Sequence, residues 1–328
     1  MKAAYYERQG EARDVLKVGV LPEPHPGPGE VRVRVYMSGI NPTDIKARTG
    51  FSAAMDHALV IPHQDGAGII DAVGVGVSDT RIGERVWIFE ARSARASGTA
   101  AEYVIVPAFN AVHLPDNVSF ETGASLGIPA LTAHRCLFAD GPLFGRRVLI
   151  HGGAGVVGNA AILLAKQAGA WVATTVLSES HLEQARAAGA DLAINLKKEN
   201  VAAVVKAHTD EMGVDRIVDV NLKANLEIDL ACLAQGGVIS SYATGQAKDE
   251  ISLPLLKAMM GGCVFRFVYI YNVPQDAKRI AIKAISDCLL SGSYSPKIAL
   301  QLPLDEIVTA HEALESGTTV GKVLLRIE

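Results

Sequence analysis

The spacing of hydrophobic and polar positions changes along the chain. VRVRVY at residues 31–36 alternates strictly, with Val31, Val33 and Val35 on one side and Arg32 and Arg34 on the other, which is the period of a half-buried strand. The segment before it, PEPHPGPGE at 22–30, reads as a loop, because its prolines lack amide donors and its glycines permit turn dihedrals. Further short strands are predicted at 69–73, 85–89 and 101–106, each bounded by Gly, Pro, Asp or Ser. This half is expected to be antiparallel and barrel-like.

From about residue 145 strands apolar on both faces alternate with helices: RRVLIHGG, a helix to Gly169, WVATTV, a helix through Ala188, LAINL, a helix to Thr209, DRIVDV, another helix, then GGVISSY. That rhythm predicts a parallel sheet covered by helices on both faces. VFRFVYI at 264–270 is expected as its sixth strand. After it come a helix over 274–290, IALQLP, the helix DEIVTAHEALESG and a final strand KVLLRI, which return to the first style. The predicted fold class is α/β, a doubly wound parallel sheet plus a β-rich domain, with one domain over 125–271 and the other built from 1–124 and 272–328.

Composition narrows the function. In 328 residues, 31 basic against 35 acidic side chains leave a net charge of -4, so neither nucleic acid nor an anionic membrane is an expected partner. No apolar stretch approaches the ~18 residues of a membrane span and no signal peptide is visible at MKAAYYERQG, so the chain is expected in the cytoplasm. Cys136, Cys232, Cys263 and Cys288 form no C-x-x-C pair, which argues against a disulfide framework or a thiolate zinc site. Small-molecule chemistry is the favoured class.

HGGAGVVG at 151–158 stands between an apolar strand and a helix, with another strand at 171–176, the context in which G-x-G-x-x-G reads as a dinucleotide-binding Rossmann turn. Gly153 is expected to permit the tight turn, Gly155 to let the main chain approach a pyrophosphate, and Gly158 to let helix and strand pack. The amides of Val156 and Val157 would then face the anion. About 20 residues on, where an acid would bind a ribose 2′-hydroxyl, the chain has ATTVLSESHLEQ. Ser178 and His181 there suit a 2′-phosphate, favouring NADPH over NADH; the alternative has Ser178 capping a helix and His181 in solvent.

GINPTD at 39–44, DGAGIIDAVGVGV at 65–77, GERVW at 83–87, LGIPALTAH at 126–134, GGAGVVG and GKVLL at 321–325 together resemble the zinc-independent quinone oxidoreductases of the medium-chain dehydrogenase/reductase superfamily, in order along the whole chain. The resemblance implies a GroES-like catalytic domain beside the Rossmann domain, a cleft active site, a homodimer paired through the sixth strand, and metal-free hydride transfer from NADPH to a quinone. An ene-reductase for α,β-unsaturated ketones or aldehydes, and an NADPH-binding protein with little turnover, stand as alternatives. Zinc-dependent relatives have a ligand Cys where Asn41 stands and G-H-E at His63, Gln64 and Asp65. A metal on His63, Asp65 and His57 is the less favoured reading; a buried polar anchor is preferred.

The same resemblance carries roles to single positions. Asn41 would orient the acceptor carbonyl, or else be a turn residue before Pro42. Tyrosines frequent near positions 46 and 52 are replaced by Lys46 and Ser52; Lys46 and Arg48 would favour a polarised or anionic acceptor, or be solvated. Thr132 resembles a helix-start threonine near the nicotinamide, and Leu196 replaces a ring often found over the 2′-phosphate. Tyr242, Ala243, Phe267 and Val268 are expected along the nicotinamide half or in the core. Lys322 would approach the pyrophosphate, or stand exposed at a strand edge.

Overall fold

A computed structural model describes residues 1–51 and 53–327; Ser52 lies outside the described residues. The chain divides into two compact units, Met1–Ile128 with Pro296–Glu328, and Pro129–Ser295.

The first unit starts with a small antiparallel pair, β1 (Lys2–Tyr5) and β2 (Lys17–Val20). Its organising strand is β3 (Glu30–Ile40), which contains the alternating segment, with Val31, Val33 and Val35 buried in the core. Strand β4 (Asp65–Val73) pairs with β3 antiparallel along its length, β5 (Arg85–Ile88) with β4, and β7 (Ala111–His113) with β5, while β6 (Tyr103–Pro107) pairs with the first half of β3. The β3–β4 ladder has register shifts between Arg32 and Val33 and between Val35 and Met37, and on the other edge of β3 strand β6 covers only Glu30–Arg34, leaving the second half for another partner.

The second unit holds six strands, β8 (Arg147–His151), β9 (Trp171–Val176), β10 (Leu192–Asn195), β11 (Val214–Asp219), β12 (Leu233–Ser241) and β13 (Val264–Phe267). All are parallel and hydrogen-bonded in the order β10-β9-β8-β11-β12-β13. Counted from β8 this is the 3-2-1-4-5-6 order of a doubly wound Rossmann sheet, with its switch point between β8 and β11. The fold class is therefore as the sequence predicts.

The sixth strand is shorter than expected. Pairing with β12 ends at Ser241 and Phe267, because β12 itself stops there, and a 3-10 turn at Ile270–Asn272 follows. The chain then returns to the first unit through helix Gln275–Leu290, with β14 (Ile298–Pro303) parallel to β15 (Lys322–Arg326) and β15 antiparallel to the free end of β3. Among the described residues no helix is long and apolar enough to cross a membrane.

Candidate functional site

In the first unit the GINPTD segment ends β3 and starts helix Pro42–Thr49. Asn41 is the residue before that helix, extended at φ -126°, and Pro42 fits the first helical position because its missing N–H has no helical partner there. The Asp44 carboxylate accepts the Asn41 N–H at 2.8 Å, fixing the entry of the chain.

The Asn41 side chain is buried and held at both ends. Its Oδ1 accepts from Lys322 Nζ at 2.8 Å and its Nδ2 donates to Asp65 Oδ2 at 2.7 Å. An ammonium only donates and a carboxylate only accepts, so this pair determines which way the amide faces. One Nδ2–H is left without a partner among the described residues, a directed donor of the kind that polarises a carbonyl.

Asp65 gathers the cluster: Oδ2 receives Asn41 and, at 2.8 Å, Lys322, while Oδ1 accepts the Ile128 N–H at 2.8 Å in the first turn of helix Gly127–Phe138. Gly39 makes room, since a Cβ there would lie 2.7 Å from Lys322 Cε and 2.1 Å from the Ala124 carbonyl oxygen. Lys322 is thus fully buried on β15, neither exposed nor at a sheet edge, and its ammonium is committed to Asn41 and Asp65. Asp44 is also buried; burial pushes its carboxyl up to about 7, and Oδ1 has no hydrogen-bond partner.

Arg48 neither lines an acceptor site nor meets solvent: it is completely buried, bonded to the Gly10 carbonyl and the Glu315 carboxylate. Lys46 places its Nζ over the Phe51 ring, 4.4 Å from the centroid, and partial burial lowers its pKa. His63 and Asp65 do not converge on a common centre. The His63 ring bonds Ser38 Oγ at 2.8 Å and His311 Nε2 at 2.9 Å, whereas Asp65 serves Asn41 and Lys322, and His57 stands apart beside Asp56. His63 has φ 78°, a left-handed conformation unusual for a side chain of its size, and burial lowers the pKa of both imidazoles.

In the second unit HGGAGVVG is the turn from β8 to helix Val156–Gln167. The tight left-handed position is Gly152, at φ 72°, and not Gly153. Gly153 is required for another reason: a Cβ there would stand 2.1 Å from Thr174 Oγ1 on β9. At Gly158 a Cβ would lie 2.2 Å from the Gly152 carbonyl oxygen, so the helix packs onto the loop only without a side chain. Gly155 is exposed and precedes the helix with no side-chain cap, leaving the first-turn amides of Val156, Val157 and Gly158 without helical acceptors. That is an anion cradle at a positive helix end, and it fits a dinucleotide pyrophosphate.

Ser178 precedes helix Glu179–Ala187 without capping it, its hydroxyl 3.0 Å from Ser180 Oγ, and His181 is half-buried on the first turn. The neighbouring Glu179 carboxylate is held by Lys198 at 2.9 Å and Asn195 at 3.0 Å, contacts that lower its pKa. Leu196, half-buried, follows β10 and packs on the core of this unit. Tyr242 and Ala243, also half-buried, follow the carboxyl end of β12. Phe267 is 70% exposed, and Val268, buried, lies just past β13. Thr132 is buried within helix Gly127–Phe138, not at its start.

Composition gave no warning of the cluster beneath the loop. His151 bonds Thr175 Oγ1 at 2.9 Å and Asp229 Oδ1 at 2.8 Å, with Asp219 close by, the one group of three metal-capable side chains among the described residues.

Comparisons with known proteins agree with both halves. Residues 27–116 match the alcohol dehydrogenase GroES-like domain and 156–287 the zinc-binding dehydrogenase domain. The quinone oxidoreductase of Homo sapiens is 29% identical over 318 residues, 95% of this chain and 94% of that protein. A zinc-type alcohol dehydrogenase-like protein of Schizosaccharomyces pombe is 30% identical over 326 residues, 92% of each. Among solved structures, an NAD-dependent alcohol dehydrogenase superposes with TM-score 0.89 at 29% identity over 100% of both chains. The quinone oxidoreductase of Escherichia coli complexed with NADPH does so with TM-score 0.86 at 26% identity, over 99% of this chain and 100% of that one. With its two-part fold, its glycine cradle and these matches along almost its whole length, the chain belongs to the medium-chain dehydrogenase/reductase superfamily of alcohol dehydrogenases and quinone oxidoreductases.

Proposed function

We propose that the chain is an NADPH-dependent oxidoreductase that reduces a quinone by metal-free hydride transfer. The observation that carries this reading is the Asn41 amide, held by Lys322 and Asp65 so that one N–H remains to be given to an acceptor oxygen. The Asp65 carboxylate already has a buried cation, the Lys322 ammonium, which makes this amide, carboxylate and ammonium set a poor home for zinc.

Bound NADPH would supply the hydride, and a proton from solvent completes the hydroquinone. The amides of Val156, Val157 and Gly158 would hold its pyrophosphate, with Ser178 and His181 toward the 2′-phosphate. Asn41 donates to the oxygen that gains charge, stabilising it where it develops. The relatives named quinone oxidoreductase and the NADPH complex from Escherichia coli support this reading. We read the 125–271 segment as the cofactor domain, the cytoplasm as its location, and a homodimer as its state. The dimer reading rests on β13 at the edge of its sheet and on exposed Leu255, Leu256, Met259, Met260 and Phe267 nearby.

The test is oxidation of reduced nicotinamide, followed by absorbance, with NADPH and NADH against quinones, enones, enals and simple aldehydes. NADPH turnover with quinones that survives dialysis against a chelator supports the proposal. Preference for enones would move the assignment to an ene-reductase. Saturable NADPH binding without turnover by any acceptor would overturn catalysis in favour of a binding protein.

A further inference from the structure

The second unit contains a cavity of about 420 Å³ walled by helices Gly127–Phe138, Val156–Gln167 and Gln275–Leu290. None of the residues assigned above lines it. Its walls are largely small or aliphatic, as at Leu164, Ala277 and Ala284, with the Phe138 ring on one side.

Three polar side chains in this lining, His134, Arg135 and the exposed Gln167, have no partner among the described residues, and the first two stand side by side. His134 is only 6% exposed, its ring centroid 4.6 Å from that of Phe138, and neither imidazole nitrogen makes a hydrogen bond within the described chain. With no partner in the chain, its ring N–H is available to an occupant of the cavity. Burial also lowers its pKa to about 4, which keeps it a neutral ring with one N–H donor at physiological pH. Arg135, half-buried beside it, has neither an ion pair nor a hydrogen bond among the described residues. The lining carboxylate, Asp287, is bonded to Lys283 at 2.7 Å and so does not neutralise Arg135.

We propose that this cavity is a second small-molecule site, separate from the hydride-transfer machinery, that takes an aromatic monocarboxylate. The ring lies between the alanine-lined wall and Phe138, the carboxylate pairs with the Arg135 guanidinium, and the His134 N–H donates to a carboxylate oxygen. Its volume lies in the range that small ligands occupy in proteins. The helix that begins at the phosphate cradle ends on this cavity, at Leu164 and Gln167, so an occupant touches the element whose first turn holds the anion.

The test is titration calorimetry of 2-naphthoate, with 2-naphthamide as its uncharged counterpart, into the full chain saturated with NADPH. One-to-one binding of the naphthoate is expected, with the amide at least about tenfold weaker. Arg135→Gln should weaken naphthoate about tenfold and Ala284→Phe, which fills the cavity, should abolish binding. Both variants should retain parental NADPH affinity. No naphthoate binding, equal binding of acid and amide, or unchanged affinity in Arg135→Gln would each overturn the proposal. Arg135→Gln alone decides if Ala284→Phe does not fold, because the Arg135 side chain is unbonded.

Discussion

Lys322 Nζ stands 2.8 Å from Asp65 Oδ2, and both side chains are wholly removed from solvent. The pair joins the last strand of the first unit to β4, and its Asn41 contact joins it to the end of β3. Removing one member of such a pair leaves the other charge buried and uncompensated.

Lys322→Met is therefore expected to lose about 3–5 kcal/mol of stability, and to lower the melting temperature by more than about 6 °C. Pairing it with Asp65→Asn should recover part of the loss. Circular-dichroism melts check both, and a single variant that melts with the parent would remove the pair from the stabilising core.

Asn41→Ala removes the directed amide. On the proposed function, kcat for quinone reduction should fall about a hundredfold, as when one oxyanion donor is deleted, while NADPH affinity by fluorescence quenching stays near parental. Equal loss in both quantities would instead mean that the cluster only holds the fold.

Gly158→Ala introduces a methyl 2.2 Å from the Gly152 carbonyl oxygen. Loop and helix must separate, so NADPH affinity is expected to drop at least about tenfold with quinone KM little changed. Binding at parental strength would show that the dinucleotide does not use this turn.

Acid should destabilise the first unit through its histidine pair. His63 and His311 are buried with lowered pKa values, His311 at about 3 against an ordinary 6.5. Between those values the unfolded chain binds protons that the folded chain refuses, so stability falls as pH falls, by at most ~1.4 kcal/mol per unit for each ring. Asp44 has the opposite sign: its folded carboxyl titrates at about 7 against 3.8, so across that window the folded chain holds the extra proton and gains stability as pH falls. Urea midpoints at pH 5 and pH 8 should show Asp44→Asn losing more on acidification than the parent; a smaller loss would reverse the assigned sign.

Phe267→Asp places a charge on the exposed end of β13. If two copies pair there, sedimentation should turn a dimer into a monomer at micromolar concentration with the melting profile of each chain preserved. An unchanged sedimentation coefficient would mean that this edge is not the contact.

The strict alternation of Val31, Val33 and Val35 and the glycine turn between strand and helix were both readable in the sequence, because each rests on local periodicity or backbone shape. Helix Pro42–Thr49 was not, because the residues it buries are Asp44 and Arg48, and a hydrophobic pattern says nothing about a polar core face. Lys322 misled for a similar reason: a lysine in a strand reads as exposed unless its partners are known, and Asn41 and Asp65 lie 281 and 257 positions away. Alternation of aromatic and other residues continued past Phe267, but the strand ended where its neighbour β12 ended, a fact held in another segment.

The placement of Lys322 also sets an order of assembly. A ribosome delivers this ammonium 281 residues after Asn41, so nascent β3 and β4 exist for most of synthesis with the Asp65 carboxylate lacking its cation. The intervening parallel sheet is complete before then and can fold while the first unit waits for its last strand. Chains interrupted before residue 322 would carry the complete parallel sheet joined to a first unit that lacks β15 and leaves Asp65 without its cation.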